Sequence, residues 1–275
     1  MIASRPIADR RPTISAERLA LATLLLVVAI GFLLRVFRLD GQSLWYDEGV
    51  SVVMSPRDLA TITANAASDI HPPLYYYALH FWTGLVGSSE FGARYLSVLY
   101  GVLLIAIVFQ FARRLFGTSV GTAGAFVAAI APFLIYYSQE ARMYMQVTTL
   151  AALSTYLFTR LTIQADDRAS AGNTLGWVAY WLVTVATTYS QYFGFTVLAL
   201  QNIYFWFFSG RQRNLWKQWF ASQVAILIAF APWAPVALNQ FGSWPSISEP
   251  FSLQELFWRL FRVFSFGQSA DGGAT

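Results

Sequence analysis

Two adjacent acidic residues, Asp47 and Glu48, lie in the segment SLWYDEGVS, shortly after the first long apolar run of the chain. Carboxylates close to a bilayer are costly when they lose water, so they are candidates for function. Neighbouring side chains on a helix point about 100° apart. One acid can therefore accept a proton while the other holds a cation or a neighbouring helix. A hydrated surface turn explains the pair equally well, and the residues alone leave both interpretations open.

A second candidate, His71, begins the segment HPPLYYY. The Pro pair that follows places the imidazole rigidly, and a neutral imidazole can bind a divalent metal or a phosphate-bound water. A structural histidine is the alternative. The run Tyr75, Tyr76 and Tyr77 is explained most simply as part of an interfacial aromatic belt.

The third group lies in YYSQEARMYM, which contains Gln139, Glu140, Arg142 and Tyr144. Arg142 could neutralise a phosphate, and Glu140 could orient that phosphate or join a metal shell. The alternatives are a local Glu140–Arg142 ion pair, or Arg142 paired with an anionic lipid. Arg94 is placed similarly, at one end of a predicted span.

The composition indicates which class of protein must position these residues. Apolar residues make up 56% of the 275 residues and charged residues only 12%, about half the usual globular share. Lipid must therefore face much of the chain, and disorder, collagen and coiled coil are excluded. The absence of Cys excludes a disulfide framework and thiolate metal sites. The net charge of +4 is no sign of nucleic-acid binding, because membrane proteins concentrate Lys and Arg on one side.

Runs without charged residues predict about seven transmembrane helices, since a span needs roughly 20 largely apolar residues. We therefore expect an all-α integral membrane protein, a polytopic helical bundle. A turn at YSQYFG divides the run 169–210 in two, and Pro232 and Pro235 are expected to bend the last span. The runs are 19–34, 95–112, 115–139, 143–159, 169–210 (two spans) and 218–248.

An eighth run, 70–89, contains both His residues, three Tyr residues and a Pro pair, so its apolar part is short. If it does not cross, the basic pairs between later spans fall on the cytoplasmic side, as the positive-inside rule requires. We therefore predict an interfacial or re-entrant helix on the outer face. Residues 1–18 become a cytoplasmic tail, and the first span a retained anchor rather than a cleaved signal peptide. The basic residues concerned are Arg113, Arg114, Arg160, Arg168, Arg211, Arg213 and Lys217.

The same topology places the loop 38–92 and the segment 241–275 outside. In the loop, Ser55 can cap a short surface helix, with Pro56 at its first position and Asp58 in its first turn. In the segment, the capping box SLQE (252–255) begins an amphipathic helix that would lie in the outer interface. A structural role for that helix is favoured over a role in gripping substrate.

All three groups of candidate residues fall on this outer side. If the spans bundle, Asp47, Glu48, His71, Glu140 and Arg142 can converge on one outward cavity. A membrane enzyme that acts on a lipid phosphate needs a carboxylate base for an incoming hydroxyl and positive charge for the departing phosphate. It also needs an aromatic wall for a sugar or a lipid tail.

The ordered set SLWYDEGVS, HPPLYYYALHFW, SEFGARYLSVLYGV with ARRLFG, and YYSQEARMY closely resembles the family 39-like glycosyltransferases of the GT-C superfamily. These are bacterial relatives of the protein O-mannosyltransferases and of the lipid A aminoarabinose transferase. The resemblance covers roughly residues 35–161, and makes 19–240 a GT-C-like module. It implies a bacterial inner-membrane enzyme that moves a sugar from a polyprenyl phosphate to an acceptor hydroxyl of a protein, lipid or glycan, extracytoplasmically.

The resemblance also implies roles for single residues. Asp47 would be the catalytic base of an inverting displacement, and Glu48 an active-site or metal-organising carboxylate. His71 stands where relatives carry a charged residue before the Pro pair, often Lys or His. A Lys there would hold the donor phosphate directly, whereas a His can contact either the phosphate or a metal. Glu48 and His71 would then hold a divalent ion (Mg, Mn or Zn), and no nucleotide cofactor or nucleic-acid partner is expected. The substrate- and phosphate-binding residues would be Arg142, Glu140, His71, Tyr144, Gln139, Tyr46 and Arg94.

Members of that family are usually much longer, so we expect a truncated product that ends within an external stretch. Two other functions stay open. A transporter of a lipid-linked sugar should show inverted repeats and charges at the membrane midplane, and neither is visible here. A non-catalytic GT-C-like subunit is the other alternative.

Overall fold

The computed structural model describes residues 14–162, 173–209, 215–243 and 252–266, and it contains helices and no strands within these ranges. The fold class predicted from composition is therefore confirmed. A π-helical segment, Phe205–Ser209, follows α10. The helices are α1 (Ile14–Val36), α2 (Tyr46–Met54), α3 (Leu59–Ser68), α4 (Leu74–Val86), α5 (Glu90–Phe116), α6 (Thr118–Ile130), α7 (Pro132–Ser138), α8 (Tyr144–Thr162), α9 (Thr174–Ser190), α10 (Gly194–Tyr204), α11 (Trp216–Phe230), α12 (Ala234–Ser243) and α13 (Leu253–Phe266).

Two of these helices, α1 and α5, are long and apolar enough to cross a membrane alone. Two bent pairs, α6 with α7 and α11 with α12, meet the same criterion when each pair is taken as one span. The described residues thus hold up to four candidate spans by length and composition. Helices α8, α9 and α10 occupy the positions of the other three predicted spans, and the total of seven remains a prediction.

Prolines break two of the long apolar runs. The axis turns by 57° between α6 and α7, where Pro132 is the first residue of α7. It turns by 68° between α11 and α12, where Pro232 and Pro235 were expected to bend the chain. The first break falls inside the predicted span 115–139. The predicted span starts at residue 115, whereas α6 starts at Thr118. Gly117, with φ +92°, ends α5 and lets the chain change direction into α6.

The shorter elements agree with most of the sequence predictions. The run 70–89 forms the 13-residue helix α4, which is not among the candidate spans. The capping box before α13 is present, since Glu255 N donates to Ser252 Oγ at 3.2 Å and Ser252 N to Glu255 Oε2 at 3.3 Å. The chain also turns between α9 and α10 as predicted.

The cap predicted for α3 was wrong. Ser55 ends α2 and donates its hydroxyl to the Val52 carbonyl, so it is not available to begin a new helix. Asp58 caps α3 instead: its carboxylate accepts from Thr61 N at 2.9 Å and from Thr61 Oγ1 at 2.7 Å. Of the predicted cytoplasmic tail, residues 1–13 lie outside the described part. The structure begins within α1 at Ile14, five residues before the predicted start of the apolar run.

Helix α5 is the central element, because it packs against α1, α4, α6, α7 and α8. A buried cluster that includes Tyr75, Leu79, Ala93 and Met143 joins α4, α5 and the start of α8. This cluster lies directly beside the predicted site residues in the chain, so the apolar core fixes the backbone from which they project.

Candidate active site

The predicted site residues meet where helices end and begin. The turn after α1 leads into α2, which carries Asp47 and Glu48. Arg94 lies in the first turns of α5, and the turn 139–143 between α7 and α8 carries Glu140 and Arg142. Hydrogen bonds between Glu48, Arg94 and Ala141 join these segments directly, so the helix ends meet at one end of the bundle.

Glu48 is fully buried and forms a bidentate ion pair with Arg94. Arg94 Nε donates to Glu48 Oε1 at 2.8 Å, and Arg94 Nη2 donates to Oε2 at 2.7 Å. Oε1 also accepts from Ala141 N at 2.8 Å, and Oε2 from Trp45 N at 3.3 Å. Four donors thus occupy the four lone-pair positions of the carboxylate. Glu48 ties α2, α5 and the turn after α7 together.

Asp47, one residue earlier, has different surroundings. Its side chain is 36% exposed, and Oδ2 lies 3.5 Å from Arg142 Nη2. The same Nη2 lies 3.2 Å from His71 Nε2. Arg142, which is 5% exposed, therefore bridges Asp47 and His71. The sequence prediction that these three distant residues come together agrees with their placement in the structure.

The two arginines of the site differ in how fully they are satisfied. Arg94 uses all five of its N–H donors, on Glu48 and on the carbonyls of Leu39, Gln42 and Ser43, at 2.7–3.2 Å. The hydrogen bonds and the ion pair of Arg142 measure 3.2–3.5 Å, Tyr76 and Tyr144 are further neighbours of its guanidinium, and its buried Nε has no hydrogen-bond partner. Arg94 therefore has a structural role, since none of its donors is left for a ligand. Arg142, in contrast, still has a donor that could bind an anion.

His71 is held as a neutral imidazole. Burial, and then the positive charge of Arg142, lower the pKa of His71 to about 4. A guanidinium only donates, so Nε2 accepts from Arg142 Nη2 and the proton lies on Nδ1. Nδ1 lies 3.3 Å from Gln191 Nε2, which is also a donor, so this contact is not a hydrogen bond of that tautomer. His71 therefore acts here as a hydrogen-bond partner that orients Arg142.

Beyond His71, a series of polar contacts runs through residues that the sequence patterns did not indicate. Gln191 Oε1 accepts from Tyr192 N at 2.7 Å, and the Tyr192 hydroxyl donates to Gln240 Oε1. Gln240 Nε2 in turn donates to the carbonyl of Ala66 at the end of α3 at 2.8 Å. The turn YSQYFG was interpreted only as a connection. Its Gln191 lies 120 residues after His71, so no local pattern indicates that the two meet.

A cavity adjoins the site beside Glu48. It has a volume of about 660 Å³, and Glu48, Arg94, Gln139 and Glu140 contribute to its lining, whereas Asp47 does not. Of the five residues that were expected to share one cavity, Glu48 and Glu140 line this one. Because consecutive helical side chains diverge by about 100°, Asp47 turns towards Arg142 while Glu48 faces this cavity.

Glu140 is the second acid of this cavity, and the Tyr136 hydroxyl donates a hydrogen bond to it. It is 7% exposed, and its Oε2 is buried without a hydrogen-bond partner. Burial raises the pKa of Glu140 to about 7. It makes no ion pair with Arg142 among the contacts of the described residues. The local Glu140–Arg142 pair considered from the sequence is not formed.

The residues do not fit the divalent metal that was expected between Glu48 and His71. All four lone-pair positions of Glu48 are occupied, and both His71 nitrogens already face Arg142 and Gln191. Within the described ranges, no group of three or more His, Asp or Glu residues could hold a metal ion. No step is therefore assigned to a metal.

The remaining predicted residues lie around this centre. Gln139 Nε2 donates to the carbonyls of Arg35 at 3.1 Å and Phe37 at 2.9 Å, which fixes the turn after α1. Tyr144 begins α8, and its ring lies 4.8 Å from that of Tyr137. Tyr46 is 83% exposed, so few neighbouring side chains hold it in place, and its substrate contact stays a prediction.

The two shifted pKa values predict a specific pH dependence of stability. Folded Glu140 keeps its proton up to about pH 7, whereas its usual pKa is 4.5, so its contribution to the free energy of unfolding falls as pH rises between these values. His71 has the opposite effect: its contribution falls as pH drops from 6.5 to about 4. Between pH 4.5 and 6.5 the two contributions oppose each other.

We therefore expect Glu140→Gln to reveal how His71 alone changes the free energy of unfolding with pH. Relative to the parent protein, the free energy of unfolding of this variant should rise with pH between 4.5 and 6.5 by up to about 1.4 kcal/mol per pH unit. Denaturant titrations in detergent at several pH values measure this slope. His71→Gln is the matched control and should change the slope in the opposite direction. Equal slopes in all three proteins would contradict the assignment.

Comparisons with known proteins agree with this architecture. The model of the dolichyl-phosphate-mannose-protein mannosyltransferase family matches residues 70–238, more than half of the chain. Among curated proteins no match is found. The crystal structure of ArnT from Cupriavidus metallidurans in the apo state matches with a TM-score of 0.62 and 19% identity, over 86% of this chain and 46% of ArnT.

A second ArnT structure from the same organism, bound to undecaprenyl phosphate, matches with a TM-score of 0.56 and 19% identity, over 85% of this chain and 43% of ArnT. The chain thus spans less than half the length of the solved proteins it matches, and the likeness shows the fold. Apolar helices and this fold make it a membrane-embedded protein. The chain belongs to the dolichyl-phosphate-mannose-protein mannosyltransferase family and, with it, to the GT-C glycosyltransferase superfamily.

Proposed function

We propose that this chain carries the catalytic carboxylate of a membrane glycosyltransferase that moves a sugar from a polyprenyl phosphate to an acceptor hydroxyl. The observation that carries the proposal is the contact of Asp47, a partly exposed carboxylate, with Arg142, a buried and incompletely satisfied guanidinium. One group can take a proton and the other can meet phosphate charge. The family match and the undecaprenyl phosphate bound to ArnT support this donor class.

The proposed reaction is a single displacement with inversion at the anomeric carbon. Asp47 accepts the proton of the acceptor hydroxyl as that oxygen forms its bond to the anomeric carbon. The bond between this carbon and the phosphate oxygen breaks, and polyprenyl phosphate leaves with the electron pair. The Asp47 step requires only a hydroxyl group, so a protein, a lipid or a glycan can serve as the acceptor.

Arg142 is proposed to bind the departing phosphate. Its Nη1 contacts, to the Asp47 carbonyl and Ser51 Oγ, are both 3.4 Å, and its Nε is unpaired. Exchanging such long contacts for charged phosphate oxygens at about 2.8 Å would strengthen them. His71 keeps Nη2 in position without adding charge. In this role Arg142 replaces the metal that was expected from the sequence.

We further propose that the site faces the extracytoplasmic side of the bacterial inner membrane, with the N-terminus in the cytoplasm. The support is the distribution of Arg113, Arg114 and Arg160, which end α5 and α8 at the end of the bundle opposite Arg142. This orientation follows the positive-inside rule. A donor on a polyprenyl carrier suits that side.

The test is release of polyprenyl phosphate by the purified full chain in proteoliposomes that contain a polyprenyl-phosphate-linked hexose or pentose and a set of hydroxyl acceptors. Transfer should require Asp47, and the product should carry the opposite anomeric configuration from the donor. Release that is unchanged in Asp47→Asn would contradict the proposal. Donor binding without transfer in the parent protein would favour the non-catalytic subunit.

A further inference from the structure

A buried arginine outside the reacting centre, Arg35, lies near the end of α1. Its side chain is fully buried, and no carboxylate of the described residues pairs with it. Its guanidinium donates instead to the carbonyls of Gly31, Ala128 and Ala129, each at 2.9 Å, and to Ser138 Oγ at 3.1 Å. A buried cation without a counter-charge is costly, so this arrangement calls for an explanation.

The break between α6 and α7 supplies that explanation. In an uninterrupted helix the carbonyl of Ala128 would accept from the N–H of residue 132. Residue 132 is Pro, which has no N–H, so the carbonyl loses its regular partner. Arg35 Nη2 takes that place at 2.9 Å, and Nη1 bonds to the next carbonyl, that of Ala129. The negative end of the α6 dipole also favours the guanidinium charge.

Two glycines leave room for this side chain. A Cβ atom at Gly101 of α5 would overlap Ser138 Oγ and lie 2.8 Å from Arg35 Nε. A Cβ atom at Gly31 would lie 3.3 Å from Arg35 Nη1. Helices α1 and α5 therefore enclose the guanidinium closely, and the pocket that it fills is part of the packed fold.

Arg35 also reaches the far end of α7. Ser138 is the last residue of that helix, and the next residue, Gln139, donates to the backbone carbonyl of Arg35 at 3.1 Å. The two residues that follow bring Glu140 to the cavity and Ala141 N to Glu48 Oε1. Arg142 comes directly afterwards. Both ends of the seven-residue helix α7 are thus held by one residue of α1.

We propose that Arg35 is a positioning residue of the site: it bonds to the Ala128 carbonyl, which Pro132 leaves without its regular donor, and to the next carbonyl, and thereby sets the direction in which α7 delivers the turn 139–142. Its role in turnover rests on the proposed function. Its role in placing α7 does not. Arg35 touches neither Asp47 nor Arg142, so it acts through the backbone.

The first test compares Arg35→Met and Arg35→Lys in the full chain. Because a displacement of about 1 Å can cost about 10²-fold in rate, we expect Arg35→Met to lower kcat by that order while KM for the donor changes by less than about threefold. Arg35→Lys keeps the charge but loses the planar fork, so it should restore activity only in part. Arg57→Met, the same change at an exposed arginine, is the control and should leave kcat unaltered.

A second test connects Arg35 to Pro132. Pro132→Ala returns an N–H to position 132, so the Ala128 carbonyl no longer depends on Arg35. The loss caused by Arg35→Met should then be severalfold smaller in the Pro132→Ala background than in the parent. Equal losses in the two backgrounds would overturn the assignment, as would a kcat of Arg35→Met equal to that of the parent.

A third measurement does not require enzyme activity. The chain has no Cys, so Leu33→Cys on α1 and Ile135→Cys on α7 can carry a pair of spin labels without further changes. The inter-label distance should be narrowly distributed in the labelled parent and shifted or broadened by Arg35→Met. An unchanged distance refutes the positioning role even if sugar transfer is observed. A shifted distance in a chain without transferase activity supports it while the proposed function fails.

Discussion

Replacing Asp47 with Asn is expected to lower kcat for sugar transfer by about 10²–10⁴-fold, the usual contribution of a positioned general base. Asn keeps the size and polarity of the side chain but cannot accept the acceptor proton. Arg142 loses only a contact of 3.5 Å. The dissociation constant for polyprenyl phosphate should therefore change by less than about threefold, which separates loss of the base from loss of the binding site.

Asp40→Asn is the matched control, since Asp40 is an exposed acid in the turn after α1 and should give parental rates. Rates are measured as released polyprenyl phosphate, and binding by titration of the purified protein with undecaprenyl phosphate. A loss of lipid binding in Asp47→Asn equal to the loss of rate would show that Asp47 organises the donor site instead of acting as the base.

The second large effect is expected for stability. Glu48→Gln should lower the free energy of unfolding by about 3–5 kcal/mol, because Arg94 would remain buried without its counter-charge. The new amide nitrogen would also face donors, whichever way the side chain turns, since Arg94 donates to both oxygens of Glu48. Arg94→Met should cost more, as it leaves the carbonyls of Leu39, Gln42 and Ser43 without this donor too.

Glu90→Gln is the control, because Glu90 lies in the first turn of α5, the helix that carries Arg94. Glu90 is a partly exposed acid in the first turn of α5, so its loss should cost only about 0.3–1 kcal/mol through the helix dipole. Denaturant unfolding in detergent at one pH measures all three variants. Costs of similar size for Glu48→Gln and Glu90→Gln would mean that the buried pair contributes little to stability.

Patterns that act over short distances were sufficient to predict the elements of the fold. The absence of charge marked the long helices, SLQE marked the start of α13, and Pro232 with Pro235 marked a bend. The cap of α3 was misplaced because Ser55 and Asp58 are both good caps, and only the end of α2 decides between them.

The sequence indicated several residues of the site but not the hydrogen-bonding role of each one. Asp47, His71 and Arg142 were selected as residue types that suit phosphate chemistry, and the structure brings them together. All donors of Arg94 are used because backbone carbonyls of Leu39, Gln42 and Ser43 lie within reach, and the identity of a residue does not reveal where its backbone carbonyl lies. Gln191 was missed for the related reason that its partner is distant in the chain.

The opposite surroundings of Asp47 and Glu48 mean that their order along the chain carries information that their shared acidity does not. An Asp47→Glu, Glu48→Asp exchange preserves charge and composition, yet the shorter acid would no longer span the gap to the guanidinium of Arg94 and the longer one would intrude upon Arg142. The two acids are therefore not interchangeable: Asp47 is placed to accept a proton, whereas Glu48 holds α2 to Arg94.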